Sequence, residues 1–175
     1  MISRLKFQEL RGSFKPKEVR VLFVGESRPA NGTFFYSGDS NLFMHTVAVF
    51  QDSFKLKYDS TTNFLESFKR YGCWLTDLCE EPVNRLSDIK REIEREQGIG
   101  PLIETIKKTE PKSIICVMRG IDKYVKRAIG ESGINLLSYS SVPFPVRTPK
   151  NVLKYKAELA EILRDLVKRE IMLTS

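Results

Sequence analysis

Three short apolar runs, separated by stretches of helical character, constrain the fold of this chain more than any other feature. They are residues 19–24, 73–78 and 113–118. Their β-branched and aromatic content is typical of buried strands. A fourth short strand is predicted near residues 134–139. Because strands that alternate with helices favour a parallel sheet covered on both faces, we expect an α/β fold. Its predicted form is a three-layer α/β/α arrangement around a central, four-stranded, mostly parallel sheet.

The segments between the strands predict the helical layers. Helices are expected over residues 41–54, 61–71, 121–129 and 151–169. The highly charged segment 87–97 predicts a solvated helix, and residues 101–109 predict a separate amphipathic one. No linker, internal repeat or low-complexity stretch interrupts the chain. Residues 1–175 are therefore interpreted as a single domain.

The composition excludes several classes of protein. With 41% hydrophobic and 29% charged residues, the chain is typical of a globular protein rather than a disordered or fibrous one. No apolar run approaches the roughly 20 residues of a membrane span, and the first ten residues lack the apolar core of a signal peptide. We therefore expect an intracellular protein with no membrane partner.

Cysteine and histidine usage argues against a metal site. The three cysteines, Cys73, Cys79 and Cys116, form no CxxC pair and have apolar neighbours, so they are interpreted as small buried hydrophobic residues. His45 is the only histidine, which excludes a multi-histidine metal site. No metal and no other cofactor is predicted.

The charge balance points towards nucleic acid without deciding the question. The chain has 29 Lys and Arg against 22 Asp and Glu, a net charge of +7, and a sequence pI of about 9.3. A basic excess is what phosphate binding requires. A solvated basic surface with no nucleic-acid partner explains the same excess equally well.

The fold prediction itself says where a ligand site would lie. In parallel sheets the site is found beyond the carboxyl ends of the strands. Four segments meet that condition: residues 25–39, 75–85, 119–120 and 142–151. The first places Glu26 just past a strand, the second places Asp77 at a strand end, and the fourth is an extended loop that contains two prolines.

Together these segments resemble the uracil-DNA glycosylase superfamily. VLFVGES followed by FFYSGDS resembles the first motif of families four and five, which reads like GEAPG or GLAPA and then a Phe-x-Gly segment. LTDLCEEPVNR is similar to the family-four pattern ITNxxKCRPPxNR, and PKSIICVMRG is similar to PKVIVALGR. VPFPVRTPKN falls where that superfamily carries its second motif, HPSPxN or similar. The order and spacing agree over roughly residues 19–165.

Three departures from the superfamily bear on function. The second motif supplies a His that stabilises the departing base, whereas Phe144 or its neighbours stand at that place here. An Asn at the tip of the second strand reads uracil in the superfamily, and the matching residue here is Asp77. The cysteines that bind an iron–sulfur cluster in family four are absent, so the resemblance implies no cluster.

The resemblance implies a site for a base that has left the stack. In it, Glu26 would position or deprotonate water, Tyr36 or else Phe35 would stack on the base, and Arg147 or Arg28 would supply the donor that the absent His would have given. Each role has a simpler alternative. The alternative for Glu26 is a capping or salt-bridging residue. At least one of the aromatic residues at 34–36 should pack in the core, and arginine binds phosphate at least as readily as a base.

Asp77 carries the sharpest inference about the base. An ionised Asp only accepts hydrogen bonds, so it suits adjacent donors such as the N1 and N2 edge of guanine or the N1–H of hypoxanthine. It should repel the O4 of uracil, and we therefore predict weak or absent uracil excision. The alternative is that Asp77 is paired with Arg85 or another basic residue.

Basic residues near the predicted site have two interpretations as well. A phosphate-tracking surface is one, and a solvated outer face is the other. The candidates for contact with DNA are Arg28, Arg119, Arg147 and Lys150, while Lys123, Lys126 and Arg127 extend one helical face and Lys154 follows the last loop.

Two functions are predicted from these residues. The first is a divergent DNA-base glycosylase that works without a metal, acting on DNA that is single-stranded or carries a lesion. The second is a catalytically silent nucleic-acid-binding protein of the same fold. An unrelated small-molecule α/β enzyme is a third possibility. The oligomeric state is not predicted.

Overall fold

The computed structural model describes residues 4–146 and 148–173. It confirms the α/β fold. The elements follow one another along the chain as α1 (Arg4–Ser13), β1 (Val21–Gly25), α2 (Asn41–Phe54), α3 (Thr61–Arg70), β2 (Cys73–Asp77), α4 (Asp88–Thr109), β3 (Ser113–Cys116), α5 (Asp122–Ser132), β4 (Ser138–Ser141) and α6 (Pro149–Lys168).

The four strands form one sheet in the order β2-β1-β3-β4, and every pairing is parallel. All five residues of β1 are buried, as are the four of β3, which is expected of inner strands covered on both faces. Four of the six helices form two packed pairs, α2 with α6 and α4 with α5, and α3 packs against β2, so that the sheet is the middle of three layers. In the paired register, Gly25 at the tip of β1 lies beside Asp77 at the tip of β2.

One long helix replaces the two that were predicted between β2 and β3. Helix α4 continues through Pro101, where the second of the two predicted helices was expected to begin. Buried residues lie on both sides of this proline in the sequence, Ile99 before it and Leu102 and Ile106 after it. Packing of α4 against α5 stabilises the helix there. The prediction that residues 87–97 form a solvated helix agrees with the structure, since the segment lies in the first half of α4 and none of its residues is fully buried.

Two further differences concern short polar elements. Strand β4 begins at Ser138 rather than near residue 134, because an edge strand of the sequence SYSS pairs through its backbone and needs little apolar content. Helix α1 was not predicted, since Phe7 is its only fully buried apolar side chain. That ring packs edge-on against Phe34 with centroids 5.0 Å apart, and Trp74 Nε1 donates a hydrogen bond of 3.1 Å to the carbonyl of Arg11.

The core explains the remaining sequence features. Phe35, Phe43, Phe50, Phe64 and Phe68 pack ring to ring between the sheet and helices α2 and α3. The three cysteines are free and buried, which confirms their interpretation as apolar side chains. Within the described part of the chain, no helix combines the length and apolar character that crossing a membrane requires.

Candidate functional site

The carboxyl ends of the strands open into one pocket of about 610 Å³. All four segments selected from the sequence contribute to it, so the predicted convergence is present in the structure. Asparagine side chains and two buried aromatic rings complete the walls. The lining comprises residues 25–29, Asn31, Thr33, Phe34, Phe35, 40–42, Leu75, Asp77, Asn84, Arg91, 118–120, Pro143, Phe144, Val146 and Asn151.

Close approach of two strand tips places Asp77 in this pocket. A Cβ atom at Gly25 would lie only 2.6 Å from Asp77 Oδ1, closer than van der Waals contact allows. Glycine is therefore required at the tip of β1 for the carboxylate of β2 to occupy this position.

Asp77 is ion-paired with a basic residue, as one of the two interpretations of the sequence held, and that residue is Arg11. Asp77 Oδ2 accepts a hydrogen bond of 2.5 Å from Arg11 Nη2, whereas Arg85 is exposed. Burial raises the pKa of Asp77, and the positive charge of Arg11 opposes that shift. Oδ1 has no hydrogen-bond donor among the described residues, so one acceptor remains for a ligand.

Glu26 binds two arginines of α4. Its Oε1 accepts hydrogen bonds from Arg91 Nε at 2.8 Å and Arg95 Nε at 2.7 Å, and the Nη2 groups of both arginines also bind the carboxylate. The side chain of Glu26 is only 7% exposed. The arrangement matches the salt-bridging interpretation of Glu26. Oε1 is saturated, and a water molecule would have access only to Oε2, which already accepts from Arg91.

Arg91 and Arg95 belong to the candidate site through Glu26, and the sequence analysis did not select them. They are four residues apart and therefore share one helix face, the same face that carries the buried Leu102. That shared face was the available signal, and the high charge of residues 87–97 obscured it. Arg91 lines the pocket, whereas Arg95 lies behind it, with its guanidinium 5.9 Å from the ring centre of Tyr124.

The aromatic residues divide between pocket and core. Phe34 and Phe35 are buried yet line the pocket, and the half-buried Phe144 lines it from the segment that resembles the second motif. Tyr36 does not line it: its hydroxyl donates to the Leu75 carbonyl at 2.9 Å and accepts from the Leu75 N–H at 2.8 Å. The predicted stacking role of Tyr36 is therefore not supported by its position, and Phe35 is better placed.

The four candidates for DNA contact are found in different settings. Arg28 lines the pocket, lies 4.7 Å above the ring of Phe7 and binds Glu81 at 2.8 Å. Arg119 also lines the pocket, is 46% exposed and binds Glu158 at 2.6 Å. Lys150 is exposed in the first turn of α6. Arg147 lies outside the described residues.

The basic face of α5 is engaged in ion pairs. Lys123 binds Glu92 at 2.7 Å and Arg127 binds Glu96 at 2.9 Å, both on the neighbouring helix α4. Lys126 binds Asp122 within α5. These pairs favour the interpretation of that face as a solvated surface rather than a phosphate-tracking one.

Amide side chains supply further hydrogen-bonding capacity. Asn84 Oδ1 accepts from the Ala30 N–H at 2.9 Å, and Asn151 Nδ2 donates to the Val146 carbonyl at 3.3 Å. Each amide keeps one other polar atom for a ligand. Over residues 4–146 and 148–173, no cluster of three or more His, Cys, Asp or Glu side chains is arranged to hold a metal ion.

The pocket thus combines aromatic walls, a carboxylate acceptor, amide groups and guanidinium donors. Compared with known proteins, the chain matches no protein-family model and shows no significant similarity to any curated protein.

Proposed function

We propose that the protein binds nucleic acid and takes one base out of the stack into this pocket. The observation that carries the proposal is the composition of a single cavity of about 610 Å³, inside the size range of small-ligand sites. Phe35 and Phe144 offer apolar surfaces to a base, and Asp77 Oδ1 offers an acceptor to its polar edge. The resemblance to the uracil-DNA glycosylase superfamily supports the same ligand.

The charge around the opening supports a nucleic-acid ligand rather than a neutral one. Arg28 and Arg119 line the pocket from two different strand ends, and the exposed Lys150 follows the last loop. Cations so placed contact the phosphates on either side of an extruded base. DNA is therefore the proposed partner.

Whether the bond to the bound base is hydrolysed depends on Glu26. Two arginines occupy its carboxylate, and Phe144 stands where the superfamily carries its His. Both features favour binding without hydrolysis. Hydrolysis of the N-glycosidic bond is the second candidate, favoured by the position of Glu26 on the pocket wall, where Oε2 accepts fewer hydrogen bonds than Oε1.

A pocket-filling substitution tests base binding. Asn41 is an exposed pocket residue at the first position of α2, so Asn41→Trp fills the cavity without disturbing the core. Asn63 is exposed in the first turn of α3 and does not line the pocket, which makes Asn63→Trp the matched control. We expect Asn41→Trp to weaken binding of a fluorescent single-stranded oligonucleotide roughly tenfold in anisotropy titrations, and Asn63→Trp to leave it unchanged.

Equal affinity of the two variants for the oligonucleotide would refute the pocket as its binding site. Salt provides a second criterion, since binding through phosphates weakens steeply between low and moderate salt. Binding that does not change with salt would remove DNA as the partner.

Hydrolysis is tested by the formation of abasic sites. Duplex and single-stranded oligonucleotides carrying uracil, hypoxanthine, xanthine or a mismatch are incubated with the wild type and with Glu26→Gln. Turnover that Glu26→Gln abolishes, in a variant that still unfolds cooperatively, would select the glycosylase. Salt-sensitive binding without turnover selects the binding protein. Robust excision of uracil from single strands would contradict the acceptor role of Asp77.

A further inference from the structure

We propose that the pocket contains a phosphate subsite in which Arg91 is the principal donor, so that the ligand is a nucleotide and not a nucleoside. The inference rests on the proposed function for the base and adds the anionic group that must accompany it. It assigns a ligand-binding role to a residue of α4, a helix that contains none of the segments that resemble the superfamily's motifs.

The balance of charge in the pocket points to an anion. Among the described residues that line it, three are arginines and two are carboxylates. Both carboxylates are already bound by arginines, and two of those arginines, Arg11 and Arg95, stand behind the lining. The lining residues themselves thus carry one more positive than negative charge, which favours the entry of an anion over that of a cation.

The geometry of Arg91 identifies it as the donor. Its Nε and Nη2 are fixed on the Glu26 carboxylate, while Nη1 has no hydrogen-bond partner within the described parts of the chain. The side chain is 22% exposed and lines the pocket. A guanidinium held on one edge presents its other edge in a fixed direction, so little side-chain entropy is lost when that edge binds phosphate.

The other arginines of the site are less suited to this role. Arg95 does not line the pocket, and its Nη1 lies 3.8 Å from Glu92 Oε2. Arg28 and Arg119 each bind an exposed or half-buried glutamate, so a phosphate would compete with an existing ion pair. Arg91 alone among these four offers a positioned donor on a pocket wall without such competition.

The experiment compares ligands that differ only in phosphate. Six deoxynucleosides (deoxyguanosine, deoxyinosine, deoxyuridine, deoxyadenosine, deoxycytidine and thymidine), their 5′-monophosphates and inorganic phosphate are titrated into the full chain. The backbone amide shifts of Gly25 and Gly120, which line the pocket, report binding. We expect at least one monophosphate to bind tenfold or more tightly than its nucleoside.

Substitutions then locate the phosphate. Arg91→Gln keeps an amide donor for Glu26 but loses the positive charge. Arg91→Lys keeps the charge but loses the planar guanidinium that can bind Glu26 and phosphate at the same time. Both should remove most of the monophosphate's advantage and leave the nucleoside's affinity within twofold of wild type. Arg164→Gln, an exposed position in the second half of α6, is the matched control and should change neither. Thermal unfolding of each variant confirms that it is folded, and Arg91→Lys serves if Arg91→Gln is not.

Each result supports or overturns the phosphate subsite, the base pocket, or both. Equal affinity for nucleoside and monophosphate, or an advantage that survives both Arg91 substitutions, overturns the phosphate subsite and leaves base binding intact. Inorganic phosphate that binds as tightly as every monophosphate, with no nucleoside binding, supports the subsite and overturns the base pocket. No binding of any of these ligands overturns both.

Discussion

Glu26 and Asp77 balance their charges in different ways, although both lie at the ends of neighbouring strands with little exposed side chain. Glu26 accepts from two arginines on one helix, whereas Asp77 accepts from a single arginine on another and keeps Oδ1 without a donor among the residues described. A buried carboxylate without a partner costs several kcal/mol, so both pairings stabilise the native site. Glu26 is thereby a positioning residue for Arg91, and Asp77 is the acceptor available to a ligand.

Removing the charge of Glu26 should destabilise the protein. In Glu26→Gln the partly buried guanidinium of Arg91 loses its counter-ion and that of Arg95 keeps only the more distant Glu92, so we expect the free energy of unfolding in urea to fall by about 3 kcal/mol. Glu104→Gln is the control, since that side chain is 78% exposed and should cost less than about 0.5 kcal/mol. A loss for Glu26→Gln no larger than for the control would show that the ion pairs of Glu26 with Arg91 and Arg95 contribute little to stability.

At the scale of the element, the position of α4 determines whether Arg91 reaches the pocket. Gly98 allows the helix to lie directly against the chain that leaves β2, because a Cβ atom there would overlap the carbonyl oxygen of Leu78. Two residues later, Gly100 is exposed and a Cβ would meet nothing within 4 Å. The same glycine-to-alanine substitution can therefore be compared at a closely packed position and at an open position of one helix.

Alanine at these positions should have opposite effects. Gly98→Ala forces α4 away from the backbone of Leu78, and we expect a loss of about 2 kcal/mol in the free energy of unfolding. Gly100→Ala should instead stabilise the helix by up to about 1 kcal/mol, since alanine is the better helix former. Urea denaturation of both variants measures the difference, and stabilisation by Gly98→Ala would contradict the close packing of α4.

The α2 and α6 pair contains the only histidine. Burial, together with the nearby charge of Lys156, lowers the pKa of His45 below its ordinary 6.5. The unfolded chain therefore binds this proton more readily than the native state does. Stability should be lost as the pH falls below 6.5 towards the native pKa.

His45→Gln removes this pH dependence. Between about pH 7.5 and about pH 5, the free energy of unfolding should fall more for the wild type than for the variant. Urea denaturation at both pH values gives the comparison. Parallel pH profiles for the two proteins would contradict the lowered pKa.

At the scale of the whole molecule, the sequence predicted what depends on apolar pattern. Strands β1, β2 and β3, the bounds of α2 and the meeting of four loops follow from buried runs and from the rule that parallel strands end at one edge. The rest depends on long-range polar contacts. Arg11 and Arg91 reach the site from helices rich in charged residues, so the helix face that Arg91 shares with the buried Leu102 was a weak signal, and no local signal marked Arg11.

The central claim is that a base of a bound strand enters this pocket, and a crystal structure of the protein with a short single-stranded DNA oligonucleotide tests it most directly. The account predicts one base inside the cavity, against Phe35 and within hydrogen-bond distance of Asp77 Oδ1, with a backbone phosphate at Arg91 Nη1. A bound strand with every base outside the cavity would contradict it.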